Sequence, residues 1–321
     1  MKTVIFMALA IFDELSSPMN RWQLLSHLLC GDIHPDEKSV WLKPSYRLKF
    51  LARTLLHPVL TLNWLHYIAS HPRRAQMLYA QMALPDKLQR PYLSSRFSAR
   101  NALAALCYHY DVVENSPPTL RRLLLTPGGV PIINLHGKSG ESYALLLGSH
   151  SSLDKEGEIT LQLCTEGMPL ARMTMTVMQF EGKKALFIGG LQGPTRHLQQ
   201  QKSRISQVTR DCHGLFPKRL VLETACGLGE LLGVECMVAV GNHTHVYQNW
   251  RYWRKKKTSF HADYDAFWLS VGGQLRSDGV CQLPLHIARK PLDEVASKKR
   301  AEYQRANGML AEIHQQLHAL K

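Results

Sequence analysis

The sequence predicts an α+β protein in which a helical N-terminal portion packs on a mostly antiparallel sheet. Up to about Pro127, apolar residues recur at mixed three- and four-residue spacings, the mark of amphipathic helices. From about Ile132 they fall instead into short runs of strand length, separated by Ser-, Gly- or Asp-containing turns. Near the C-terminus the texture turns helical and charged once more. The chain therefore divides into a helical region (1–130), an α/β region (131–290) and a C-terminal helix (291–321).

Asn20–Cys30 places Trp22, Leu24, Leu25, Leu28 and Leu29 on one side of a helix, and Tyr46–His57 and Leu60–Ser70 repeat the pattern. Prolines 58, 72, 85 and 91 punctuate these helices. Arg47, Lys49, Arg53, Arg73, Arg74, Lys87, Arg90, Arg96 and Arg100 lie among them. They read as solvated faces whose stems cover apolar surface, or as a face for a membrane or an acidic partner. Tyr143–Gly148, Glu158–Cys164, Leu170–Phe180 and Lys184–Leu191 are the strand-like runs, and Glu181-Gly182-Lys183 pairs the last two as a hairpin. Thr195–His213 is a polar helix with Pro194 suited to its first turn. Pro217 opens a second helical segment, Lys218–Leu232, which Gly227 and Gly229 weaken. Gly233 stops it before the strand Glu235–Val240, and a long charged helix runs from about Leu292 to the end.

At 321 residues and 45% hydrophobic content the chain buries a substantial core. Thirty-nine Lys and Arg against 25 Asp and Glu give a formal charge of +14, which draws the chain towards phosphates, acidic lipid headgroups or nucleic acid. Seven scattered cysteines, without C-x-x-C or metal-ligand spacing, read as free thiols in a reducing compartment. Thr3–Phe12 is an apolar run behind Lys2, but Asp13 and Glu14 follow at once and no small-x-small cleavage site lies beyond. No run approaches the ~20 apolar residues that a bilayer span needs. The expected location is the cytoplasm, peripheral at the inner membrane.

Chemistry concentrates between Lys184 and Lys257. Gly189-Gly190-Leu191-Gln192-Gly193 lacks the spacing of a dinucleotide or Walker loop. Yet its glycines allow close backbone approach, and the helix start after Pro194, with Arg196 nearby, suits an anion. A plain strand-to-helix turn explains the same residues. His243, His245 and Tyr247 alternate, so a continuing strand puts all three on one face, with His245 as base and Tyr247 as acid. Hydrogen-bonded structural histidines are the alternative. Zinc has no clear third ligand here, so no metal is expected. Cys212-His213 is disfavoured as a dyad because adjacent helical residues face apart. Trp250-Arg251-Tyr252-Trp253-Arg254-Lys255-Lys256-Lys257 mixes cations and aromatics, so Arg251, Arg254, Lys255, Lys256 and Lys257 could grip an anionic substrate or membrane. A solvated basic loop is the other reading, and no recognisable module supports nucleic-acid binding.

Five ordered motifs, Ile188–Gly193, Cys212–Lys218, His243–Tyr247, Tyr264–Trp268 and Ser297–Ala301, resemble the VirK/YbjX family of enteric and related bacteria, from about Leu28 to Leu310. The resemblance implies a bacterial protein associated with virulence and with tolerance of envelope stress or antimicrobial peptides, and no established reaction. At fold level, the order of an antiparallel sheet, a strand leading through glycines to a helix, a further helix and a strand ending near a Tyr is similar to GNAT-type N-acyltransferases. That similarity implies an acyl-CoA or acyl-carrier-protein donor, with Gly189, Gly190, Gly193 and Arg196 about its pyrophosphate and Tyr247 protonating the leaving thiolate. The glycine spacing and the two helical segments depart from the pattern. The expected function is an acyltransferase acting on an envelope lipid, peptide or related precursor. The alternative is a non-catalytic accessory protein that binds anionic lipid or a virulence factor.

Overall fold

The computed structural model describes residues 15, 17–33, 39–194, 198–252 and 263–320. The apolar run Thr3–Phe12 lies outside them. Helix α1 (Arg21–Cys30) starts at a capping box: Asn20 Oδ1 accepts the Trp22 and Gln23 N–H groups, and Gln23 Oε1 accepts the Asn20 N–H at 2.8 Å. Helices α2 (Pro44–Leu56) and α3 (Pro58–Ser70) each open on a proline, where the missing N–H costs no hydrogen bond. Then come α4 (Arg74–Ala80), α5 (Ala99–Glu114) with its own capping box on Ser98, and α6 (Pro118–Leu124). Trp41 and Trp64 are buried among these helices and donate their indole N–H groups to the Met82 and Leu84 carbonyls.

The 3₁₀ segment Leu84–Gln89 runs wholly inside the protein, so Lys87 and Arg90 are not on a solvated face. Lys87 pairs with Glu158, itself bonded by the Tyr92 hydroxyl (2.9 Å) and the Tyr110 hydroxyl (2.5 Å). Arg90 bridges Asp86 (2.8 Å) and Asp154 (2.9 Å). Arg74 is buried as well, its guanidinium donating to the Leu15, Ser17 and Ala69 carbonyls. Burial of these cations is tolerated because carboxylates or carbonyls replace the lost water.

Among the described residues the sheet has eight strands, β1 (Val130–His136), β2 (Ser142–Gly148), β3 (Ile159–Thr165), β4 (Met168–Phe180), β5 (Lys183–Gln192), β6 (Cys236–Val240), β7 (Gln274–Leu275) and β8 (Val280–Leu283), in the order β1-β2-β3-β4-β5-β6-β8-β7. Pro131 sits on the edge strand, where a missing donor is harmless. The hairpin between β4 and β5 turns at Glu181 (φ 51°) and Gly182 (φ 76°), and the two strands pair antiparallel as expected. Strands β5 and β6 pair parallel, from Ala185↔Cys236 to Ile188↔Ala239, and the other paired strands are antiparallel.

The parallel pair is joined by α7 (Leu198–Asp211) and α8 (Pro217–Leu231), while α9 (Tyr264–Ser270) leads from β6 towards β7. Helix α10 (Ser297–His318) packs across α8 and β1. Helix α8 runs through Gly227 despite its low propensity, and the glycine leaves room for Leu317 of α10: an added Cβ would stand 2.5 Å from Leu317 Cδ1. One continuous apolar cluster extends from Leu24 through the sheet to Leu317. The two short strands β7 and β8 are not anticipated from sequence periodicity, which needs longer runs than they provide.

Candidate functional site

The glycine run does not form a turn at its start. Gly189 and Gly190 belong to β5, and the β4 register slips there, with Thr174 opposite Gly190 and Met175 opposite Ile188. Such a bulge leaves one residue unpaired and re-aims the strand. A Cβ on Gly189 would lie 2.0 Å from the Glu156 carbonyl oxygen, and one on Gly190 2.0 Å from Glu156 Oε2. These two glycines therefore make room for Glu156. Among the described residues no atom lies within 4 Å of a Cβ added to Gly193, just past the strand end. Arg196 lies outside the described residues.

The strand expected to carry His243, His245 and Tyr247 on one face ends at Val240. Residues 241–244 turn, with Thr244 Oγ1 accepting the Gly241 N–H at 2.8 Å and donating to the Gly279 carbonyl at 2.9 Å. His245 then caps the 3₁₀ turn Val246–Gln248. Because alternation holds only in extended backbone, His243 is exposed while His245 is buried and Tyr247 half-buried. The turn is sealed by residues 94–95: the Ser94 hydroxyl and the Ser95 N–H both donate to the Thr244 carbonyl, at 2.9 and 2.8 Å.

Glu156 is the centre of what this turn assembles. It enters on the loop before β3, held by the Leu93 N–H on the Lys155 carbonyl (2.8 Å). Its carboxylate accepts the Gln192 side-chain amide at 2.8 and 2.9 Å, and His245 Nε2 lies 3.7 Å from Oε1. His245 Nδ1 accepts the Tyr247 N–H at 3.2 Å, so the neutral ring carries its proton on Nε2, facing the carboxylate. Burial pushes the His245 pKa down to about 3, which keeps the imidazole neutral beside Glu156. The ring is clamped between Tyr264 (stacked, 5.2 Å) and Tyr247 (5.0 Å).

Burial and then the Glu156 charge raise both phenols, and Tyr247 also hydrogen-bonds Glu156. The Tyr264 hydroxyl accepts the Leu191 N–H at 3.1 Å. That N–H lies beyond Ile188 and Ala239, the last β5–β6 pair, where the two parallel strands part. Glu156, Gln192, His245, Tyr247 and Tyr264 thus meet at the carboxyl ends of diverging parallel strands, the place where open sheets commonly bind ligands.

Arg251 is exposed, and its Nη1 donates to the Gln89 carbonyl at 2.9 Å, tying the loop to the buried 84–89 segment. Arg254, Lys255, Lys256 and Lys257 lie outside the described residues. Cys212 is buried, and burial with Asp211 pushes its thiol up to about 12, which suits no nucleophile. Among the described residues no three His, Cys, Asp or Glu side chains gather as a metal site. No described helix is long and apolar enough to cross a membrane.

Sequence reasoning missed Glu156, which is remote in sequence from His245 and Tyr247. Tyr264 entered only within the Tyr264–Trp268 motif and Gln192 only within the glycine run, neither with a role of its own. The available signal was the acidic stretch Asp154-Lys155-Glu156-Gly157-Glu158 opening a strand in a basic chain.

Fold and site together define an α+β protein with a buried carboxylate–imidazole–phenol cluster at the parting of its parallel strands. The chain belongs to the family described as protein of unknown function (DUF535), which matches residues 39–319. It is 42% identical to the uncharacterized protein YbjX of Escherichia coli over 305 residues, 94% of this chain and 91% of that protein. An uncharacterized protein of Haemophilus influenzae is 34% identical over 129 residues, 40% of this chain and 41% of that protein. The membrane protein LapB of Mannheimia haemolytica is 25% identical over 210 residues, 64% of this chain and 88% of that protein.

Proposed function

We propose that this protein transfers an acyl group from a thioester, acyl-CoA or acyl carrier protein, to an amine on an envelope lipid, peptide or related precursor. The observation that carries the reading is the meeting of Glu156, Tyr247 and the Leu191 N–H where β5 and β6 part. A thioester carbonyl set there could take the Leu191 N–H from the Tyr264 hydroxyl, and that donor would stabilise the negative charge developing on the oxygen. The Gly193 backbone and the start of α7 offer the donor's phosphates N–H groups and a positive dipole end.

The proton balance closes within the cluster. The amine attacks the carbonyl carbon and gives its proton to Glu156; the C–S bond breaks, and the thiolate takes the Tyr247 proton. Tyr247 is then reprotonated by Glu156 through their hydrogen bond. His245, neutral and with Nδ1 occupied, is a positioning residue rather than the base: its Nε2–H faces Glu156 and its ring supports Tyr247.

The test is thiol release from palmitoyl-CoA with phosphatidylethanolamine as the amine. Wild type should release thiol and form N-acyl product, with Glu156→Gln and Tyr247→Phe each slower by about 10²–10⁴-fold. Equal rates in all three proteins would overturn the assignment.

A further inference from the structure

Helix α2 presents two apolar stripes, and the fold uses one. Phe50 and Thr54 are its buried residues. Leu48, Leu55 and Leu56 stand on the outer side at 68, 72 and 74% exposure, and Val59, at the start of α3, is 71% exposed. Positions 48, 55 and 56 are spaced i, i+7, i+8, the spacing of one helix face. Exposed leucines scattered singly need no explanation, but four such side chains within one helical corner form a patch.

Along this stretch of sequence the charge has one sign. From Lys38 to Pro85 the sequence contains no Asp or Glu, while Lys43, Arg47, Lys49 and Arg53 lie within or beside α2. Leu42, just before α2, is exposed as well, and so is Trp22 of α1, with the Arg21 guanidinium 5.3 Å above its ring. The corner also connects to the strand-end site. Gln89 donates its side-chain amide to the Phe50 carbonyl (3.2 Å) and Thr54 Oγ1 (2.9 Å) of α2, and its own carbonyl accepts Arg251 from the loop that follows Tyr247.

We infer that the α2–α3 corner docks on an anionic lipid bilayer, with Leu48, Leu55, Leu56 and Val59 entering the interface and Lys49 and Arg53 meeting the headgroups. The composition argues for a bilayer over a protein partner. The leucines project from a helical corner, and nothing acidic over the 38–85 stretch sets a charge register for a second protein. A fluid surface accepts both without either requirement: apolar side chains insert, and uniform positive charge is attracted at any registration. The inference needs no chemistry at Glu156 and stands apart from the acyl-transfer reading.

Flotation with phosphatidylcholine vesicles, with and without phosphatidylglycerol, tests it on the full chain. Wild type should float with the anionic vesicles and release at high salt. Leu48→Ser, Leu55→Ser and Leu56→Ser combined should weaken binding at least tenfold for each leucine that inserts. Lys49→Gln with Arg53→Gln should weaken it about fivefold per cation. Because the three leucines are exposed, the melting temperature of the leucine variant and its thiol release from soluble donor should remain those of wild type. Unchanged flotation of the triple variant, or flotation lost only on deleting Met1–Phe12, would overturn the inference. So would absence of binding to anionic vesicles, or a wild-type dimer that the triple variant turns into a monomer.

Discussion

Gly190→Ala puts a methyl group where the Glu156 carboxylate now rests. The ideal Cβ falls 2.0 Å from Oε2, 2.6 Å from Cδ and 3.1 Å from Cγ, so the side chain must leave. Its departure breaks the two bonds from the Gln192 amide, at 2.8 and 2.9 Å. Both contacts come from the one Gln192 Nε2 shared between the two oxygens, and a hydrogen bond to a charged group is worth about 1.5–3 kcal/mol, so the variant should lose roughly that much stability. In a Glu156→Ala background the obstacle is gone, and Gly190→Ala should cost about 1 kcal/mol or less. Urea denaturation of the four proteins in this cycle measures the coupling directly. Gly189→Ala supplies the internal control: its Cβ meets the Glu156 backbone carbonyl at 2.0 Å, so truncating the side chain should bring no relief. Additive costs for Gly190→Ala and Glu156→Ala would refute the claim that this glycine exists to seat the carboxylate.

The His245 ring resists the proton that an unfolded chain accepts below pH 6.5, holding off until about 3, so its contribution is fully present above 6.5 and is lost as pH falls through that window. His245→Gln should therefore flatten the acid limb of stability against pH by about 1.4 kcal/mol per unit, measured by urea titrations from neutral pH downwards. An unchanged slope would show that the ring is not held neutral. Lys87→Met strands the Glu158 carboxylate beneath the sheet and should cost about 3–5 kcal/mol, with Glu158→Gln added to it restoring part of the loss. A loss under 1 kcal/mol would mean that Lys87 does not neutralise Glu158.

Helices α1 to α3 and strands β2 to β6 were legible because their signals are local. Asn20 with Gln23, the prolines at 44 and 58, and the Glu181-Gly182 turn each dictate backbone conformation within a few residues. The burial of Lys87 was not legible, since its partner Glu158 lies 71 residues away and only the folded chain brings them together. The same holds for Glu156. A glycine in a sequence shows freedom of backbone but not which neighbour fills the missing Cβ, so Gly189 and Gly190 read as an anion-binding turn. His243, His245 and Tyr247 read as one face because alternation assumes that the strand continues. The 241–244 turn, fixed by Thr244 against Gly279, breaks that assumption.

Acyl transfer at the strand ends is tested most directly by calorimetric binding of a thioether analogue of acyl-CoA, which cannot react. Saturable binding to wild type is predicted, weakened at least tenfold by Gly193→Val, which adds a side chain at the backbone approach, and retained by Glu156→Gln, which loses turnover instead. No heat of binding to wild type at millimolar analogue, or equal binding by wild type and Gly193→Val, would contradict it.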